Sequence, residues 1–179
     1  EGDQGRLALV AEERTEGLVR TPEAPGQHNR FVATREVSFA PEGAGRILET
    51  RELYGSFGRH MRHDFSTLTA DELHRALADY GKSEYLSEEV KLIDGGAPRR
   101  LTPPFRVQLE ASRSRVAMHE KGEAVVVAPA RTMLRWVQAV VLEEPPGGKS
   151  RTADFLAPNA FRIERRYVIT PPPGYASAP

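Results

Sequence analysis

The sequence predicts an α+β fold with a mostly antiparallel, sandwich-like β-sheet and a helical pair at about residues 56–81. Two observations predict it. On both sides of the helical region, apolar and polar residues alternate, as in half-buried strands, whereas within it apolar residues recur every three or four positions. The order of these segments is strands, then helices, then strands, which is typical of α+β domains.

Composition sets limits on the class of protein. The 179 residues suffice for one sizeable domain with a core. Twenty-five basic residues balance 25 acidic ones, which argues against attraction of the whole surface to nucleic acid or anionic membrane but leaves local patches open. The chain has no cysteine, which excludes disulfides, thiolate metal sites and cysteine nucleophiles and leaves the redox compartment undetermined.

No targeting or membrane segment is visible. No apolar run approaches the roughly 20 residues that a membrane span needs, and no signal peptide is recognisable. The sequence begins without methionine, at EGDQG. We therefore expect a piece of a longer protein, or a processed one.

The first 28 residues contain two short apolar runs, LALVA and GLVRT, followed by the breaker-rich PEAPGQH. They predict a small strand pair and a linker. From Asn29, the segment NRFVATREVSFA alternates, and RILETRELY returns after the turn PEGAG, so residues 29–54 are predicted to form an antiparallel hairpin. The apolar face holds Phe31, Ala33, Val37 and Phe39, and the polar face holds Arg30, Thr34, Glu36 and Ser38.

The helical pair follows. Phe57, Met61, Phe65 and Leu68 are spaced by four, four and three residues, which predicts a first helix. A second helix is expected to begin with a capping box, in which Thr69 accepts from the amide of Glu72 and Glu72 reaches back. Gly81 is expected to end this helix in a left-handed conformation. The apolar stripe of the second helix is Leu73, Leu77 and Tyr80.

Strand signals then resume. EVKLI is followed by the turn DGGAP, FRVQLEA alternates, and RVAMH with EAVVVA forms a hairpin around EKG. Residues 131–142 fit both a helix and a strand, and a helix is favoured. AFRIERRYVIT is a last alternating strand, which runs into the polyproline-like PPPGYASAP. The inward positions of FRVQLEA are Phe105, Val107, Leu109 and Ala111.

The stretch GRHMRHDF suggests a metal or catalytic site, because His60, His63 and Asp64 are close in sequence. At about 100° per residue, however, both histidines lie away from the apolar stripe, beside Arg59 and Arg62. A bound cation needs neutral imidazoles with supporting partners, and neighbouring guanidiniums disfavour it. The pattern predicts a solvated, cationic helix face.

The other candidate sites are incomplete. PPGGKS resembles the end of a P-loop, but Glu143 stands where the first glycine is needed, so Lys149 and Ser150 are assigned to a loop. No G-x-S-x-G elbow occurs. We therefore predict no catalytic residue, no cofactor-binding residue and no metal ligand. The remaining candidates are not assigned to a site. The scattered histidines His28, His74 and His119 are expected at the surface, and Trp136 is expected in the core. The adjacent pairs Glu88 with Glu89 and Glu143 with Glu144 are not expected to act as acid–base pairs.

The order of short motifs resembles a known arrangement. QGRLALVAEERTEGLVRTP is similar to the segment just after the catalytic core in bacterial transglutaminase-like proteins that carry an N-terminal domain of unknown function. The shared features are Gly5, the ALV run, GLVRTP at residues 17–22 and Asn29, followed by two strands and two helices. FRIERRYVITPPPGY is similar to the strand that opens the last β-domain of that family.

The resemblance implies a division of the chain and a role. Residues 1–28 would connect from an upstream transglutaminase-like domain, residues 29–157 would form an α+β accessory domain, and residues 158–179 would supply the first strand of a following β-domain and a proline-rich tail. The Cys–His–Asp triad of the family would lie upstream of Glu1. The resemblance thus implies a non-catalytic domain of a periplasmic or secreted protein, which packs on the catalytic core and presents substrate.

Two alternatives belong to other functional classes. A stand-alone interaction module would bind a protein or peptide through strand edges or the proline tail. A metal-dependent hydrolase would use His60, His63 and His119. None of these interpretations involves nucleic acid or a membrane span, and no cofactor is expected.

Overall fold

A computed structural model describes residues 5–11, 17–23, 25–39, 45–87, 89–102, 104–120, 123–126 and 160–176. It confirms an α+β fold with a mostly antiparallel sheet. The helices are α1 (Gly55–Thr67) and α2 (Ala70–Tyr85), and a short 3₁₀ turn covers Gly26–His28. The strands are β1 (Leu7–Leu9), β2 (Leu18–Arg20), β3 (Arg30–Ser38), β4 (Gly45–Leu53), β5 (Glu89–Asp94), β6 (Phe105–Ser114), β7 (Ala117–Glu120), β8 (Glu123–Val126) and β9 (Arg162–Thr170).

Five strands form the main sheet, in the order β5-β6-β4-β3-β9. The predicted hairpin over residues 29–54 is confirmed as the antiparallel pair β3 and β4, in which Phe31 lies opposite Leu53 and Val37 opposite Ile47. This register places both apolar sets on one face, because side chains alternate strictly along a strand. The expected pairs β1 with β2 and β7 with β8 are also present as separate two-stranded ribbons.

Strand β9 joins this sheet in parallel with β3, from Arg30 opposite Arg162 to Ser38 opposite Thr170. The resemblance placed the same segment at the start of a following β-domain, whereas here it is a strand of the main sheet. Two parallel neighbours need a long connection rather than a tight turn. Residues 39–161 connect the end of β3 to the start of β9. Residues 131–142, for which a helix was favoured, lie outside the described residues.

Both helices pack on one face of the sheet and cover its apolar side chains. Phe57 of α1 stands 6.1 Å from Phe31, and Phe65 stands 5.8 Å from Phe105, measured between ring centroids. The four inward positions predicted for β6 are all buried. The core comprises Val37, Phe39, Ile47, Leu53, Tyr85, Val90, Phe105, Val107, Leu109, Ala111 and Val116.

Helix α2 starts where the sequence predicts, with the complete capping box of Thr69 and Glu72. The prediction that Gly81 ends it is wrong, since the helix continues to Tyr85 and ends at Leu86, which has a φ of 49°. Gly81 serves packing instead. A Cβ at this position would lie 2.3 Å from Cγ2 of Val90, so the absent side chain lets α2 approach β5 closely.

Asn29 joins three segments at one end of the sheet. Its Oδ1 accepts from the backbone N–H of Ser56 at 3.1 Å, in the first turn of α1. Its Nδ2 donates to the carbonyl of Ala160 at 3.2 Å, and its own carbonyl accepts from the N–H of Arg162 at 3.0 Å. The side chain therefore caps α1 from a distance and fixes the start of β9.

In the part of the chain that the structure describes, neither helix has the length and hydropathy needed to cross a bilayer.

Phe39 provides a test of the core. It is buried at the end of β3, against Gly45, so Phe39→Ala should lower the free energy of unfolding by about 3–5 kcal/mol. Its exposed neighbour Ser38 gives the control, for which Ser38→Ala should change stability by less than about 0.5 kcal/mol. Urea denaturation measures both, and a loss below about 1 kcal/mol for Phe39→Ala would contradict the face assignment.

Candidate functional site

Charged residues stand on the helix-facing side of the central strands. Arg35 is in phase with Ala33 and Val37 on β3, and Glu49 is in phase with Ile47 on β4, so both side chains point into the core. The antiparallel register sets Arg35 directly opposite Glu49. The two residues are 1% and 0% exposed, which is rare for charged side chains unless they are paired.

These two residues are the centre of a group that we call the Arg35 cluster. Its members come from β3, β4, α2 and β9, which are brought together by the sheet order and by the last two turns of α2. The members are Arg35, Glu49, Arg51, Tyr80, Glu84, Tyr85, Arg165 and Tyr167.

Arg35 contacts every element that contributes to the cluster. Its Nε donates to Glu49, its Nη1 donates to the hydroxyl of Tyr167 at 3.1 Å, and its Nη2 donates to the hydroxyl of Tyr80 at 2.9 Å and to Glu84 at 2.8 Å. The guanidinium also lies over the ring of Tyr85, with Cζ 5.0 Å from the centroid. A planar group with five donors suits this many fixed partners.

Glu49 accepts from four donors, which are the Nε atoms of Arg35 and Arg51 and the hydroxyls of Tyr80 and Tyr85. Burial by itself raises the pKa of the carboxyl, but the charges of Arg51 and Arg35 and the hydrogen bonds from Tyr85 and Arg51 outweigh it. The pKa of Glu49 falls from its ordinary value of 4.5 to about 2. Four donors also occupy the sites that a carboxylate offers.

The remaining members extend the cluster outwards. Glu84 of α2 also accepts from Nη1 of Arg165 at 3.3 Å. Arg51 lies over the ring of Tyr80, with Cζ 4.2 Å from the centroid, and keeps 13% of its side chain exposed. Three guanidiniums thus face two carboxylates in a nearly dry interior.

Burial and neighbouring charges also shift the pKa values of Arg35, Arg51, Tyr80 and Tyr85. Desolvation by burial works against the charged forms of Arg35 and Arg51, yet the neighbouring Glu49 carboxylate raises the pKa of both. Burial raises the pKa of Tyr80 and Tyr85. A catalytic acid or base needs a pKa near the working pH. The pKa of each of these four groups is displaced away from neutral pH, and the hydrogen bonds of Arg35 hold β4, α2 and β9 around β3.

The histidines of GRHMRHDF lie on the exposed side of α1. His60 and His63 are both exposed, and Nδ1 of His60 lies 2.8 Å from the carbonyl of Ser56, one turn earlier. Asp64 is exposed as well. Within the described residues, no group of three or more histidine, aspartate or glutamate side chains could hold a metal ion.

Arg62 differs from the predicted solvated face. Its Nε donates to the carbonyl of Arg100 and its Nη2 to the carbonyl of Thr102, both at 3.0 Å, and the guanidinium lies over the ring of Phe105. The side chain therefore fastens a loop onto α1 instead of pointing into water. Spacing along one helix could not show this, because the partners are main-chain carbonyls about 40 residues away.

The other candidate site residues of the sequence either lie on separate elements or fall outside the described residues. His28, His74 and Glu89 are exposed on separate elements. Residues 127–159, with Trp136, Glu143, Glu144, Lys149 and Ser150, lie outside the described residues, as does Glu88. His119 is placed in β7, far along the chain from the α1 histidines. The Arg35 cluster is not predicted from the sequence, although alternation predicts the inward direction of Arg35, Glu49 and Arg51.

No protein-family model, curated protein or solved structure matches this chain.

Acid should unfold the protein through Glu49. Because its pKa is lower in the folded state than in the unfolded state, the unfolded chain binds more protons, and stability is lost as the pH falls from about 4.5 towards 2. The free energy of unfolding should drop by roughly 3 kcal/mol over this window. Denaturation at a series of pH values checks this. Glu49→Gln should be less stable at neutral pH and should show a much flatter decline, and an unchanged decline would contradict the assignment.

Zinc should have no specific effect on the α1 histidines. Binding to the folded form alone would raise the melting temperature, but His60 and His63 have no third ligand among the described residues. We expect the same melting temperature with and without zinc, and also after His60→Ala/His63→Ala. A zinc-dependent rise that the double substitution abolishes would contradict this expectation.

Proposed function

We propose that this chain is a non-catalytic accessory domain that docks on an upstream transglutaminase-like core through the β1–β2 hairpin and presents substrate to that core. The observation that carries the proposal is the apolar face of the hairpin, which is exposed to solvent. The Arg35 cluster, whose hydrogen bonds tie β4, α2 and β9 to β3, supports a role in scaffolding.

The hairpin presents three leucines on one face. Leu9 lies directly opposite Leu18, and Leu7 is two residues from Leu9 on the same side of its strand. Their exposed fractions are 62% for Leu7, 68% for Leu9 and 61% for Leu18. The strands are held to each other by main-chain bonds at their ends, from Gly5 to Thr21 and from Thr21 to Arg6.

A partner surface would stabilise this hairpin considerably. An isolated two-stranded hairpin is at best marginally stable in water, and burying a leucine side chain contributes about 1.5–3 kcal/mol when the burial is complete. Covering the three leucines therefore supplies several kilocalories per mole towards docking. The hairpin precedes the sheet in the chain, which is the side on which the resemblance puts the catalytic core.

The strand edges give less support to the alternative function, in which the chain is a stand-alone module that binds a protein or peptide through these edges. The described sheet ends in β5, which carries Glu89, Lys91 and Asp94 and has an irregular register after Leu92. At the other end, β9 has Arg162, Glu164 and Arg166 on its polar side. Charges and bulges are the features by which edge strands avoid pairing with other chains.

Hydrogen exchange tests the exposed hairpin. Amides of Leu7–Leu9 and Leu18–Arg20 should exchange quickly, while those in β3 and β4 should be protected, because only the latter belong to the packed sheet. Leu9→Ser/Leu18→Ser should leave the melting temperature of the sheet unchanged. Protection of the hairpin equal to that of β3 would make it an integral part of the domain and contradict docking.

The partner test uses the polypeptide encoded directly upstream of Glu1, expressed as a separate chain. Its addition should slow exchange in the hairpin, and Leu9→Ser/Leu18→Ser should abolish the effect. Leu101→Ser removes an exposed leucine that lies outside the hairpin and serves as the control. An upstream sequence without a Cys–His–Asp triad would contradict the transglutaminase-like partner.

A further inference from the structure

Residues 95–102, the described part of the loop that follows β5, have a defined shape. The N–H of Gly96 donates to Oδ1 of Asp94 at 2.8 Å, and the N–H of Arg100 donates to the carbonyl of Ala97 at 3.0 Å, which closes a turn. Nε of Arg100 then donates to the hydroxyl of Thr102 at 2.9 Å. These local bonds restrict the backbone on both sides of Leu101.

Arg62 holds this loop against α1. Its two bonds end on the carbonyls of Arg100 and Thr102, the residues that flank Leu101. The contact fixes the position of the loop relative to the exposed face of α1, which carries Arg59, one turn before Arg62.

The tip of this loop is an apolar residue that directly follows two arginines. Leu101 is 83% exposed, more than any other large apolar residue among those described. Arg99 and Arg100, immediately before it, are also exposed. The carboxylate of Asp94 at the start of the loop accepts from the N–H of Gly96, and no acidic residue occurs from Gly95 to Leu109. Leu101 therefore projects into solvent directly after two exposed arginines, from backbone that local hydrogen bonds hold in place.

We propose that this loop and the exposed face of α1 form a peripheral contact with an anionic lipid surface. Arginines interact with anionic headgroups, and a single protruding leucine enters the interfacial region of a bilayer without a preformed pocket. A protein partner would need a concave apolar site for Leu101 with acidic residues around it. The chain as a whole has no net charge, so the attraction is local to this surface. The contact is independent of docking through the hairpin.

Vesicle sedimentation of the full chain tests the proposal. The probes are phosphatidylcholine vesicles and the same vesicles with about one third phosphatidylglycerol. Binding should occur only to the anionic vesicles and should weaken as salt is added. Arg99→Gln/Arg100→Gln should lower the partition coefficient by about 25-fold, because each arginine near an anionic surface contributes about fivefold. Leu101→Ser should also weaken binding, while Leu9→Ser, on the hairpin, should not.

Arg62 is the positioning residue of this surface, and Arg59→Gln is its matched control. Both substitutions remove one charge from the same helix, so Arg59→Gln should weaken binding by about fivefold. Arg62→Gln should weaken it more, since the loop is released as well, and loop amides should then exchange faster. Wild-type binding that the loop variants do not change, or no binding to anionic vesicles, would overturn the proposal. Binding to soluble polyglutamate but not to vesicles would overturn it in favour of an acidic protein partner.

Discussion

The ion pair between Arg35 and Glu49 is the constraint on which the rest of the structure depends. Two charges removed from water in the middle of a sheet are strongly destabilising unless each finds several partners. The partners here come from different elements: Tyr80, Glu84 and Tyr85 from α2, Arg51 from β4, and Tyr167 from β9. Any shift of α2 along the sheet, or of β9 past β3, would leave one of these groups buried and unpaired. The cluster therefore specifies one arrangement of the helices and strands, in the way that buried polar groups fix register in other folds.

This organisation separates the interior from the surfaces that are available for binding. In the interior of the described sheet, the charges of Arg51 and Arg35 outweigh burial and lower the pKa of Glu49, and burial raises the pKa of Tyr80 and Tyr85. The apolar hairpin and the Leu101 loop lie outside this interior, and both expose leucines on locally bonded backbones.

The sequence predicts local features of this fold well and its long-range contacts poorly. Alternation located β3, β4 and β6, and the Thr69–Glu72 pair located the start of α2, because each depends on neighbours in the chain. Alternation also points Arg35 and Glu49 inwards, but the hydrophobic pattern alone gives no reason to expect paired charges on an apolar face. In the sequence, a glycine such as Gly81 is compatible both with the end of a helix and with a close approach of the helix to a strand. The position of Val90 in the structure shows that the second role applies. The parallel pairing of β9 and the bonds of Arg62 depend on partners 38 or more residues away, which no local pattern encodes.

A double-mutant cycle on Arg35 and Glu49 tests the central role of the cluster most directly. Free energies of unfolding are measured for Arg35→Leu, Glu49→Leu and the double variant. Each single substitution removes one of the charged partners of a buried ion and should cost about 3–5 kcal/mol. The double variant should be much more stable than the sum of the two predicts, with a coupling energy on the order of 2–3 kcal/mol. Single effects that add to within about 0.5 kcal/mol would contradict the account.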